Sequence, residues 1–122
     1  MNRTKSRINL EARTKAFGLI TLKILREVPM GVEFRSIRRR LAHSATAIGA
    51  LYCVANLAET HLDYVEKIVA ARKEVAQSVY WLSLIKSLQP DLLGVEAVHQ
   101  EAMGLMEMFD RLRHTAAKGE KE

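Results

Sequence analysis

A chain of 122 residues, 48% hydrophobic and 27% charged, is long enough for one self-standing domain and too apolar for wholesale disorder. A single cysteine, Cys53, excludes an internal disulfide, and "MNRTKSRINLEARTK" leads into no apolar secretory segment, so the cytoplasm is the expected compartment. The net charge of +5 conceals a split: residues 1–43 hold eleven Lys or Arg against three acids, +8, whereas residues 44–122 hold eight against eleven, −3.

Apolar residues recur at helical spacing in four segments. The first helix is expected to begin after Asn9, a favourable N-cap, and to run through Phe17, Ile20, Ile24 and Val28 until Pro29 and Gly31 end it. A second helix carries Phe34, Ile37, Leu41, Ser44, Ile48, Tyr52 and Ala55 on one stripe and extends toward Leu57. The least polar run, "ATAIGALYCVANLA", lies here and is shorter than the roughly 20 residues a bilayer-spanning helix needs, so no membrane span is expected. Thr60 followed three residues later by Asp63 has the form of a capping box and opens a third helix. Its inward stripe reads Leu62, Val65, Val69, Ala76, Val79 and Ser83. Pro90, placed in the first turn of a fourth helix, precedes a stripe of Val98, Ala102, Leu105, Phe109, Leu112 and Ala116. Four such helices with short connections predict an all-α fold, an antiparallel up-down-up-down four-helix bundle over residues 9–117. A basic flexible tail at 1–8 and a frayed tail at 118–122 flank it.

The charge split gives the second helix its interest. Arg35 and Arg39 point away from the Ile37–Leu41 core stripe, Arg38 lies on one flank and Arg40 at the core's other edge. With Lys15, Lys23 and Arg26, and with Arg3, Lys5 and Arg7 of the tail, they form one cationic surface if the first two helices are antiparallel neighbours. Such a surface can follow a phosphate backbone by releasing condensed counterions. A solvated face that aids solubility is the alternative. No aromatic residue is interleaved among these arginines in sequence, so base stacking is not expected.

Farther along the same helix, Ala47, Ala50, Val54 and Leu57 form a second apolar stripe, the mark of a homo-oligomer interface or else of a wide core. His43, His61, His99 and His114 lack metal-site spacing, and no phosphate loop, nucleophile elbow or paired-carboxylate motif occurs, so neither a cofactor nor catalysis is expected. Cys53 reads as a small buried thiol, and Tyr80 and Trp81 as core or interface anchors. Arg72 falls on the inward stripe of the third helix and there must either snorkel to the surface or find a carboxylate partner, for which Glu101 and Glu59 are the candidates.

The segments "RTKAFGL", "SATAIGALY", "DYVEKI" and "VYWLSLI", in this order and spacing, resemble the bacterial four helix bundle family named for proteins encoded in intervening sequences of ribosomal RNA genes. The resemblance runs over residues 13–116 and weakens after 85. It implies an antiparallel bundle assembled into a ring, commonly a homopentamer, with RNA as the favoured partner and no catalysis. The related accessory proteins of diversity-generating retroelements imply an alternative, an adaptor that docks a reverse transcriptase. Two departures stand out. Leu51, Cys53 and Val54 replace the family's polar residues after "SATAIGA", and Arg72, Lys73, Val75, Ala76 and Gln77 leave only Glu74 of an acidic run before the Tyr-Trp pair. Both changes imply a subunit interface rebuilt in more apolar form.

Overall fold

The structure, a computed structural model, describes residues 3–119, with side chains from Lys5 onward. The rest of the two expected tails, and the side chain of Arg3, lie outside what is described. Four helices account for the fold: α1 (Arg3–Leu25), α2 (Val32–Ala55), α3 (His61–Leu88) and α4 (Val95–Ala117). Together they form an all-α four-helix bundle in which α2 packs on α1 and α3, and α4 on α3 and, more loosely, on α1.

Helix α1 starts at Arg3, not after Asn9, so residues 3–8 of the expected tail are helical. An N-cap preference is worth about 0.5–2 kcal/mol and stops nothing by itself, and no glycine or proline interrupts the chain before Gly18. The helix ends in tightening turns, with the Arg26, Glu27 and Val28 amides donating to the carbonyls of Lys23, Ile24 and Leu25. Its buried side is Leu10, Thr14, Phe17, Thr21, Ile24 and Leu25; Ile20, expected inside, is 49% exposed. The polar Thr21 takes the inward position instead, and Thr14 enters the core by donating its hydroxyl back to the carbonyls of Leu10 and Glu11.

All seven residues of the α2 stripe and all six of the α4 stripe are buried as their spacing predicts. Tyr52 and Phe109 meet edge to face across the core, with ring centroids 5.7 Å apart. On α3 the expected stripe is rotated by one residue. Tyr64, Ile68, Ala71, Val75, Ser78, Leu82 and Ile85 are inside, Leu62 is exposed, and Val65 and Val79 only border the core. Because α3 is apolar on more than one side, two stripes about 100° apart compete, and the one with the larger side chains wins.

Thr60 caps α3 as its spacing predicts, its hydroxyl accepting from the Asp63 amide at 3.0 Å. Pro90 lies in the α3–α4 connection rather than in the first turn of α4, which starts five residues later. Gly94 makes that entry with φ of +89°, a left-handed backbone that favours glycine.

Two glycines set the closeness of α1 and α2. A Cβ on Gly18 would stand 3.3 Å from the Ala45 carbonyl oxygen, and one on Gly49 3.2 Å from Thr14 Oγ1. The small residues of "SATAIGA" therefore serve, in part, an approach between helices of the same chain. The α2–α3 seam is joined differently, by a buried hydrogen bond of 2.8 Å shared by the Ser44 and Ser78 hydroxyls.

Candidate nucleic-acid interface

The structure divides the seven expected cationic residues into two kinds. Lys15, Lys23, Arg26, Arg35 and Arg39 are exposed and make no hydrogen bond or ion pair among the described residues. Arg38 is half-buried and donates through Nη1 to the carbonyls of Val28 at 3.2 Å and Pro29 at 2.6 Å. It ties the start of α2 to the turn that ends α1, a structural duty that sequence spacing does not reveal. Arg40 donates to Ser36 Oγ at 3.1 Å and lays its guanidinium 5.7 Å from the centre of the Trp81 ring on α3. The fold thus sets an aromatic residue beside Arg40, a neighbour that sequence order does not show.

At about 100° per residue, Arg35 and Arg39 share one side of α2 with Thr46, Ala50 and Cys53. On α1 the corresponding side carries Ile8, Ala12, Lys15, Leu19 and Leu22, with Arg26 in the turn that follows. Lys23, Arg26, Arg35 and Arg39 gather where α1 ends and α2 begins, and along the rest the surface is mainly apolar, with Lys15 and Glu11 among its walls. There the two helices enclose an open groove of about 630 Å³ whose walls include Ile8, Leu19, Leu22, Gly49, Ala50 and Cys53. Of the expected interface stripe, Ala50 lines this groove, Val54 and Leu57 are 47% and 80% exposed beyond it, and Ala47 is half-buried.

Cys53 is exposed, not buried; Gly49 and Asn56, rather than Cys53, occupy the α1 side of the seam. Partial desolvation, and then the charge of Glu11, push its thiol above the usual range, which disfavours the nucleophilic thiolate. Arg72 is half-buried at the α3–α4 seam and pairs with Asp110, not with Glu101 or Glu59. The one-residue rotation of α3 removes it from the core and turns it toward α4. Glu101 instead accepts two bonds from Arg13, at 2.7 and 3.0 Å, and this pairing holds the Arg13 guanidinium yet more firmly protonated.

The remaining titratable groups make local contacts. Lys67 pairs with Asp63 one turn away, and Lys86 with Glu96 across the α3–α4 connection, which lowers the Glu96 pKa. His43 lies 3.9 Å from Glu74, and His61 Nε2 meets the Ala116 carbonyl at 2.9 Å. Among the described residues no group of three His, Cys, Asp or Glu side chains is placed to hold a metal ion. No described helix is long and apolar enough to cross a membrane.

No family model and no curated protein matches the sequence. Among solved structures, the fold is similar to the crystal structure of a protein of unknown function from the S23 ribosomal protein family of Bacteroides thetaiotaomicron VPI-5482. The TM-score is 0.75, over 84% of this chain and 96% of that one, at 17% sequence identity. A likeness at that identity is one of fold.

Proposed function

We propose that this protein is a non-enzymatic, cytoplasmic, homo-oligomeric bundle with antiparallel up-down-up-down helices that binds structured RNA through the cations of α1 and α2. The observation that carries the reading is the set of five exposed cations, Lys15, Lys23, Arg26, Arg35 and Arg39, with no carboxylate partner among the described residues. Cations without intramolecular partners on one side of a small protein make a field that an anionic polymer can neutralise. The ribosomal family of the structural neighbour favours RNA over DNA. The helix directions are supported by contacts whose residue numbers rise on one helix as they fall on the next: Thr14 with Gly49 and Gly18 with Ala45, then Arg72 with Asp110 and Lys86 with Glu96. Assembly, most simply into a ring, is supported by the apolar face made of the α1–α2 groove, Val54 and Leu57.

The test is an anisotropy titration of a structured ribosomal RNA fragment with excess tRNA as competitor, repeated over a range of salt. Arg35→Glu/Arg39→Glu is the informative variant because neither arginine supports the fold, whereas Arg38 holds the α1–α2 turn. The expected result is competitor-resistant binding whose log–log salt slope flattens by roughly 2 in the variant, about 0.9 for each phosphate that is no longer neutralised. An unchanged slope removes the patch from the binding surface. The same apolar groove favours a second reading, an adaptor that docks a reverse transcriptase or a similar protein, with nucleic acid secondary. Recovery of the protein at native expression without any protein partner would count against that reading.

A further inference from the structure

Seven side chains in the protein are aromatic, and five of them, Phe17, Phe34, Phe109, Tyr52 and Tyr64, are buried. The two that reach the surface are neighbours on α3. Tyr80 is 55% exposed and Trp81 half-buried, with ring centroids 5.0 Å apart and planes at 69°. Arg40 covers the Trp81 ring from α2, and Arg39 beside it in sequence is exposed and unpaired among the described residues. From this juxtaposition we infer that Tyr80, Trp81 and Arg40 form a stacking site for an unpaired RNA base; the inference rests on the RNA-binding reading above and specifies which part of the RNA is held.

The chemistry favours a base that has left its helix. Single-stranded loops and bulges are recognised by aromatic rings and guanidinium planes on which splayed bases stack, while continuous A-form duplex offers backbone and shallow-groove edges instead. Tyr80 presents its ring to solvent, and its edge contact with Trp81 limits the rotamer freedom that binding must remove. Arg40 is placed to act in two ways, as a stacked plane beside the base or, released from the ring, as a partner for the adjoining phosphate. A ring and a cation side by side suit a nucleotide, because one can take the base and the other the phosphate.

Trp81 is the sole tryptophan, so its emission reports on this site without labelling. A fluorophore-labelled hairpin RNA with an unpaired loop, and a duplex made of the same stem without a loop, are titrated into the full chain while tryptophan emission and RNA anisotropy are read in the same samples. The hairpin is expected to quench Trp81 and to bind more tightly than the duplex. Tyr80→Ala is expected to weaken hairpin binding about tenfold while leaving duplex binding unchanged, and Tyr80→Phe to retain it, since the phenyl ring keeps the stacking face. Tyr80 is exposed, so both variants are expected to keep the helical circular dichroism of the parent.

Three outcomes overturn the inference. Anisotropy that rises with unchanged Trp81 emission and no effect of Tyr80→Ala removes stacking and leaves RNA binding to the lone arginines. No anisotropy change with either RNA removes the RNA-binding reading and the stacking site together. An emission shift that follows protein concentration without RNA, and disappears with the assembly in Tyr80→Ala, assigns the aromatic pair to contact between copies of the chain.

Discussion

On α3 and α4, Lys67, Arg72 and Lys86 each lie against a carboxylate, while Lys73, Arg111 and Arg113 have none among the described residues. On α1, α2 and the turn between them Arg13 pairs with a carboxylate, and Lys15, Lys23, Arg26, Arg35 and Arg39 have none among the described residues. The apolar surface is just as uneven. The α1–α2 side holds the 630 Å³ groove, with Ile8, Leu19 and Leu22 exposed on α1 and Val54 and Leu57 at the end of α2. The sides differ in balance: α1 and α2 hold ten Lys or Arg against two acids, α3 and α4 six against seven, so the first side keeps both an excess of positive charge and apolar area open. Surface ion pairs contribute little to stability, commonly under about 1 kcal/mol, so the difference bears more on what each side can bind than on how firmly it folds.

The comparison breaks most sharply through assembly. Val54→Asp/Leu57→Asp places two carboxylates on the apolar end of α2 and is expected to reduce an assembled protein to single chains, with helix content retained because both parent side chains are exposed. Leu93→Asp, on the α3–α4 connection and 93% exposed, is the matching control and is expected to leave the mass unchanged. Light scattering on the three proteins decides the matter. Equal masses for all three would assign the α1–α2 apolar face to some other partner.

A smaller effect is expected at the α1–α2 seam itself. Gly18→Val puts a branched side chain where even a Cβ stands 3.3 Å from the Ala45 carbonyl oxygen, a backbone atom that cannot swing aside. The expected loss is about 1–3 kcal/mol in denaturant unfolding. Ala50→Val, exposed on the neighbouring helix, is expected to stay within about 0.5 kcal/mol. Loss of stability of equal size in both would mean that the groove wall, and not the glycine contact, governs the seam.

The helices differ in how openly their sequences declare them. In α2 and α4 the apolar residues lie on one side, so the spacing of Phe34 through Ala55 and of Val98 through Ala116 names the core directly. In α1 and α3 apolar residues run nearly all round, because these helices border both the core and exposed apolar surface. The same breadth that hides the stripe produced the misplacement of Ile20, Leu62 and Arg72. Of the candidate interface, the excess of cations near the N-terminus is visible in the chain, and so is the exposure of Arg35 and Arg39. The fixing of Arg38 by the Val28 and Pro29 carbonyls depends on turn geometry, and the placement of Arg40 over Trp81 joins residues 41 positions apart through the packing of α2 on α3. No local pattern carries such contacts.

The smallest expected effect concerns the seam between the two sides, where Ser44 and Ser78 share a hydrogen bond in the core. Ser44 also reaches the Leu41 carbonyl, at a longer 3.4 Å, and Ser78 makes no other side-chain hydrogen bond among the described residues. Ser78→Ala removes the shared bond and leaves the Ser44 hydroxyl with that poor acceptor, at an expected cost of about 1 kcal/mol. Ser44→Ala/Ser78→Ala removes both polar atoms and is expected to cost less than the sum of the two single changes, because no desolvated hydroxyl is left behind. Additive losses would mean instead that each serine acts alone and that the α2–α3 seam is held by its apolar neighbours, in which case the α1–α2 and α2–α3 contacts would differ only in the size of the residues that meet there.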